Sequence, residues 1–239
     1  DHRDLHSFPT RRSSDLCLGF LAIRHFNLKK GWLVFPAAIL AINILEAVVR
    51  DFQCFGLNGL VDGVVIIGGP WNIMNGIAGI LNIITISGWF GIYITKDKKR
   101  DMVWPDMLWF WIIAYDLWNF AYVYNCVSDH AFYAGAALLL SCTIPAFFIK
   151  KGAWLQHRAQ TLAFWMMFVM SFPTFVDTSK FAIKSSHNET ALFVISFLAL
   201  ASNVAVFIYH FAKVIKYKRN PIRTEVHSDL AAFKEVKMS

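Results

Sequence analysis

Charge is the first thing this sequence has little of. Only 16% of its 239 residues are Asp, Glu, Lys or Arg, where a soluble domain carries about 25%. Seven prolines and four cysteines are scattered rather than clustered, so neither a proline-rich linker nor a disulfide-dense secreted scaffold is present. Two-residue alternation is missing as well, which argues against a β-barrel. No HExxH, P-loop or GxSxG run occurs. Tyr115-Asp116 has half the look of an intramembrane aspartyl protease site, but the Gly-x-Gly-Asp partner is absent. The last apolar segment holds no mid-membrane lysine for a retinal Schiff base, and no histidine pair lies deep enough for a bis-histidine haem. No cofactor and no metal are expected. The net charge of +7 would suit nucleic acid in a soluble protein, but the basic residues form short clusters between apolar runs, so no nucleic-acid partner is expected.

What is present is apolar length. Hydrophobic residues make up 56% of the chain and aromatics 16%. Beyond a fragment around residues 17–26, six segments approach the roughly 20 residues that cross a bilayer. They cover about 32–49, 71–94, 103–124, 130–149, 154–176 and 191–214. The expected fold class is all-α: a polytopic integral membrane helix bundle with six full transmembrane helices plus one N-terminally truncated helix. Residues 1–16, DHRDLHSFPTRRSSDL, are polar and rich in Arg and Ser. They resemble a translated sequencing adapter and are set aside as a non-native segment. The remainder divides into a transmembrane helical domain, 17–214, and a cytoplasmic tail, 215–239, read as solvated or as a small helix around Ser228–Val236.

Basic clusters fall in alternate loops: Arg24, Lys29 and Lys30; Lys96, Lys98, Lys99 and Arg100; Lys150, Lys151 and Arg158; Lys213, Lys216, Lys218 and Arg219. By the positive-inside rule these loops and the C-terminus are cytoplasmic. Asp51–Pro70, Asn125–Asp129 and Asp177–Glu189 then face out. Cys54 and Cys126 both fall in these outer loops, where an oxidising compartment would let them pair as a disulfide. Asn188-Glu189-Thr190 matches a glycosylation sequon, meaningful only in a eukaryote.

Polar residues at membrane depth carry the functional expectation, because an ionisable group there costs a few kcal/mol or more. Asp116 leads, with Asn119 one turn on, in the stripe Ile112, Asp116, Asn119, Val123. Tyr115 and Trp118 would wall a pocket. The competing reading is a structural carboxylate bonded to a neighbouring helix. Glu46, with Asn43 a turn earlier, is the second candidate, although Arg50 at i+4 offers it a simple partner. Asn72, Asn75 and Asn82 share one helix face with Gly79, as solute ligands or as helix–helix glue. Gly68-Gly69-Pro70 should start or break that helix, and Pro145 and Pro173 should kink the fifth and sixth.

ILEAVVRDFQCFGLNGLVDG, GGPWNIMNGIAGILNIITISGW, WPDMLWFWIIAYDLWNFAYVYNCVSDH and KKGAWLQHRAQTLAFWMMF resemble a family of bacterial multi-pass membrane proteins known only as a domain of unknown function. The resemblance covers Cys17 to the C-terminus. It implies a bacterial inner-membrane protein with further N-terminal helices, and supplies no activity. The functional expectation is a transporter or solute-binding membrane subunit for a small polar or cationic solute. The alternatives are a sensor or assembly factor that binds another membrane protein, and a lipid-modifying membrane enzyme. The lipid bilayer is the one partner common to all three.

Overall fold

The computed structural model describes residues 30–61 and 63–238. The segment 1–16, the fragment around 17–26, Cys17, Arg24 and Lys29 lie outside the described residues. A 3-10 turn, Lys30–Val34, leads into α1 (Phe35–Cys54), followed by the hairpin strands β1 (Asn58–Val61) and β2 (Val64–Ile67) and by α2 (Pro70–Ile84). Strands β3 (Tyr93–Ile94) and β4 (Met102–Val103) precede α3 (Trp109–Cys126). A π-helical stretch, Ala131–Ala137, runs on into α4 (Leu138–Phe148). Then come α5 (Trp154–Ser171), the single turn α6 (Thr174–Asp177), the long α7 (Glu189–Tyr217) and α8 (Ala231–Met238). Both strand pairs are antiparallel, with Asn58 opposite Ile67 and Tyr93 opposite Val103.

The described residues are mostly helical, as expected, but the expectation of six full spans is reduced. Three helical stretches are long and apolar enough to cross a membrane: Gly31–Cys54, Ser128–Phe148 and Glu189–Tyr217. The segment expected over 71–94 stops at Ile84 after 15 residues, roughly 22 Å at about 1.5 Å per residue. Thr85 ends it by turning its hydroxyl back onto the Leu81 and Asn82 carbonyls, at 2.8 and 3.1 Å. Gly88 then turns the chain in a left-handed conformation, φ +64°, open to glycine at no steric cost. Helix α3 begins six residues later than expected, because Val103 is in β4. Helix α5 has 18 residues, but Gln156, His157, Arg158 and Gln160 lower its apolarity. Pro145 lies inside α4, whereas Pro173 separates α5 from α6 and so ends a helix rather than kinking one.

Caps agree with local chemistry. Proline stands in the first turn of α1 and of α2, where its missing N–H is no loss. The Asn72 side chain accepts from Gly69 N at 3.1 Å, and Asn188 of the sequon caps α7 by accepting from Ala191 N at 3.0 Å.

Helix α2 is the middle of the bundle. It packs on α1, α3 and α7, while α4 packs on α5. Its close approach depends on Ala78 and Gly79, where a Cβ on Gly79 would overlap Val48 and come within 2.6 Å of Trp118 Nε1. Outward faces are apolar: Ile42, Leu45 and Val49 on α1, Phe164 and Met167 on α5, Phe197 and Ile208 on α7 are all exposed. Water disfavours so large an apolar surface, and lipid does not.

The two ends differ. The β1–β2 hairpin covers one, the hairpin end. At the other, the tail end, the chain after α7 packs back instead of trailing in solvent, and Val226, His227, Phe233 and Val236 are buried. The solvated-tail reading is therefore corrected in favour of the small-helix reading.

Candidate functional site

Two polar centres lie inside the bundle, and a third closes its tail end. The first is built on Asp116. Thr143 of α4 donates its hydroxyl to Asp116 Oδ2 at 2.6 Å, and Trp154 of α5 donates Nε1 to the same Thr143 oxygen at 3.0 Å. One turn along α3, Asn119 Oδ1 accepts from Arg158 Nη2 at 3.1 Å. Tyr115 stacks on Trp111 at 5.4 Å and meets Trp154 edge-on at 4.8 Å. The centre thus joins α3, α4 and α5. Two buried atoms in it have no hydrogen-bond partner among the described residues: Asp116 Oδ1 and Arg158 Nη1. Asp116 is the eighth residue of α3, nearer the tail end than the sequence reading placed it.

The second centre lies at the hairpin end, between α1, α2 and α3. Asp51 is fully buried. Asn75 Nδ2 donates to its Oδ2 at 2.7 Å, and the Cys126 thiol donates to its Oδ1 at 3.3 Å. Asn72 Nδ2 reaches Cys126 Sγ at 3.7 Å. Cys54, a turn after Asp51 on α1, packs on Cys126 beneath Ile66 of β2. Both cysteines are buried free thiols. They end helices α1 and α3 rather than lying in loops, which corrects their expected placement but keeps them side by side.

The expected single pocket is accordingly divided. Asn72 and Asn75 belong with Asp51, and Asn119, Tyr115 and Trp118 with α3. Asn82 is fully buried, and neither its oxygen nor its nitrogen has a partner among the described residues. Trp118 is fully buried and stacks on Tyr122 at 6.3 Å, tying the α3 residues of the two centres. Glu46 is exposed on the outer face of α1 and Asn43 is half-buried, so neither turns into a buried centre. Their helix face is shared with exposed Ile42, Leu45 and Val49.

Asp51, Thr143 and Arg158 escaped the sequence reading. A signal existed for Asp51. The buried stripe of α1 runs Leu40, Ile44, Ala47, Asp51, Cys54, a helical spacing that continues through the residues read as loop. Arg158 counts with the basic residues that flank the gap before the segment starting at Trp154, and that placement gives no sign that its side chain turns inward to Asn119.

The third centre fastens the tail. Asp106, just before α3, accepts from Ser87 Oγ at 2.5 Å, Val226 N at 2.9 Å and His227 N at 2.8 Å. His210 Nδ1 lies 3.4 Å from His227 Nε2. Asp229 pairs with Lys213, and with Arg219 at 2.9 Å. Burial holds the His227 imidazole down to about 4, with Lys213 and Arg219 adding to the shift. Lys213 and Arg219 hold Asp229 down to about 2 against its partial burial. Docking should therefore depend on pH. Between about 6.5 and 4 a released tail takes up a proton on His227 that the docked tail refuses, so docking weakens as pH falls, by roughly 1.4 kcal/mol per unit at most. Below about 4 the Asp229 pairs are lost in turn. Asp106 works the other way, because burial raises its pKa and the docked state keeps that proton longer. The protection factors of the Val226 and His227 amides, each rate taken relative to the intrinsic rate at the same pH, should fall between pH 7 and pH 4. A flat protection factor would refute the linkage.

Among the described residues no three His, Cys, Asp or Glu side chains are grouped to hold a metal ion. The fold and its centres define a class: a helical protein with membrane-length apolar helices and carboxylates buried between them. Over residues 12–239 the chain matches the model of a family of unknown function, DUF5692, and belongs to that family. No curated protein and no solved structure matches it.

Proposed function

We propose that this protein is a solute-binding membrane protein, a transporter or the binding subunit of one, in which α1, α4 with its π-helical lead-in and α7 cross a bilayer with the shorter α2, α3 and α5 packed among them and the tail end in the cytoplasm. The charge distribution supports the orientation. Gly152 O accepts from Trp104 N at 2.9 Å and Pro221 O from Gly88 N at 2.8 Å, so the three loops holding Lys96–Arg100, Lys150–Lys151 and Lys216–Arg219 gather at the tail end. The hairpin end has only Lys180 and Lys184 in its connecting segments. A bacterial inner membrane is the compartment that the family resemblance implies.

The observation that carries the solute reading is a pair of buried atoms without hydrogen-bond partners on two opposite charges. Asp116 Oδ1 offers an acceptor and Arg158 Nη1 a donor, both buried and both without a partner among the described residues. Leaving such groups unmet costs about 1–3 kcal/mol each, more when charged. A bound molecule with a cationic donor and an acceptor group satisfies both at once. Thr143 and Trp154 hold the carboxylate in place, and Tyr115 supplies an aromatic wall. A small polar solute with a positive group fits this chemistry, a zwitterion best.

The test is thermal unfolding of the detergent-purified chain against a panel of amino acids and short polyamines, beside Asp116→Asn. A ligand that binds the folded state raises its apparent stability by mass action. The expected result is a shift with one class of solute, and affinity lower by ~30-fold or more in the variant, the loss of one buried charge partner. A wild type that no solute shifts, purifying instead with a second membrane protein, would replace this reading with the assembly-factor one.

A further inference from the structure

The hairpin end contains chemistry that solute binding at Asp116 does not use. Two thiols from different helices, Cys54 and Cys126, are packed side by side. A carboxylate, Asp51, accepts the hydrogen of one of them at 3.3 Å. The other oxygen of that carboxylate is fixed by Asn75 at 2.7 Å, and Asn72 directs an amide N–H at the same sulfur. A purely structural thiol needs none of this. Free cysteine packs well as a small hydrophobe, and the carboxylate buried beside it carries a desolvation cost that its hydrogen bonds have to offset.

We propose that Cys54 and Cys126 form a redox-active dithiol that exchanges with an external disulfide, and that Asp51 takes the proton from Cys126. The thiolate, not the thiol, attacks. Cys126 passes its proton to Asp51, and its sulfur attacks one sulfur of the incoming disulfide R–S–S–R. That S–S bond breaks, a mixed disulfide forms at Cys126, and the first thiolate leaves and takes up the proton. Cys54 then attacks Cys126 Sγ, the Cys54–Cys126 bond forms, and the second thiol departs with the Cys54 proton. Two electrons and two protons pass from the pair to the external disulfide, and the reverse sequence returns them.

The β1–β2 hairpin controls access. Ile66 is fully buried in one cluster with both cysteines, and the hairpin, its own base closed by Gly68 N donating to Leu57 O at 2.7 Å, is anchored at Ser128, whose hydroxyl donates to Val65 O at 2.8 Å. Opening these contacts exposes the dithiol, and closing them keeps it from unspecific thiol reagents. The proposal does not depend on the Asp116 reading, because no hydrogen bond joins the two centres among the described residues.

Oxidised glutathione is the probe. The full chain, reduced and then incubated with it in a lipid nanodisc, is quenched in acid, alkylated with a maleimide and read by intact mass and peptide mapping. The expected product is a Cys54–Cys126 disulfide with Cys142 still alkylated, reversed by dithiothreitol. Asp51→Asn should slow closure by about tenfold or more and alter its dependence on pH, which a merely structural carboxylate would not do. Cys54→Ser tests the order of events without touching Asp51. It should accumulate one glutathione on Cys126, an adduct that the wild type resolves. A folded wild type in which both thiols stay alkylatable overturns the proposal. So does an adduct confined to Cys54, or closure in Asp51→Asn at the wild-type rate and pH profile.

Discussion

Asp106→Ala is expected to release the C-terminal tail. The carboxylate accepts from the backbone N–H groups of Val226 and His227 and from the Ser87 hydroxyl, so one side chain holds two consecutive amides. Hydrogen bonds to an ionised group contribute about 1.5–3 kcal/mol each, and orphaned buried amides add their own desolvation cost. Allowing for coupling among the three, the docked state should lose about 3–5 kcal/mol. The Lys213–Asp229 and Arg219–Asp229 pairs cannot replace it, since Asp229 is partly exposed and such pairs are worth about 1 kcal/mol or less. Limited proteolysis should then cut between Arg219 and Ala231 at least tenfold faster, while the bundle keeps its helical signal. An unchanged cleavage rate would mean that the apolar contacts of Phe233 and Val236 dock the tail without Asp106.

The second large effect is expected from one methyl group. In Gly68→Ala the added Cβ would overlap Cys54 O and stand 2.6 Å from the carbonyl oxygens of Leu57 and Phe55. All three are backbone atoms at the end of α1, so no side chain can swing aside. Relief requires the base of the hairpin to lift, which breaks the Gly68 N to Leu57 O bond. Overpacking of this kind costs about 1–3 kcal/mol and sometimes more. Taking about 3 kcal/mol, the opened fraction rises on the order of 100-fold. Maleimide labelling of Cys54 and Cys126 should accelerate by a similar factor, and that of Cys142, buried elsewhere in the bundle, should not. Equal labelling of all three would indicate general unfolding, and no change would show that the hairpin tolerates the methyl group.

Both predictions concern residues that the linear sequence left inconspicuous. Gly68 was legible only as a helix start, because the sequence shows which residue lacks a Cβ and not which atoms stand where the Cβ would be. Asp106 stands in the apolar run Trp104–Leu108, which reads as the start of the fourth span, and its partners are 120 and 121 positions away. Asp51 was hidden for a different reason. Its stripe on α1 was complete in the sequence, but the acidic residue coincided with the expected membrane boundary, and a charge there is ordinarily solvated. Arg158 was hidden in the same way, because a basic residue beside Lys150 and Lys151 reads as a flanking charge while its side chain turns inward to Asn119.

The sequence by itself determined the helical class and the apolar surface, because composition and 3.6-residue spacing are local properties. It also determined which residues share a face, so Asn72, Asn75 and Asn82 were correctly placed on one side of α2. Only the tertiary structure decided which helix each face meets. Contacts between α1, α2 and α3 pair Asp51 with Asn75 and Cys126, contacts between α3, α4 and α5 pair Asp116 with Thr143, and the returning tail pairs Asp106 with His227. The physical reason is that a buried polar group takes whatever donor or acceptor the fold brings within about 3 Å, and that distance is set by helix packing rather than by sequence separation.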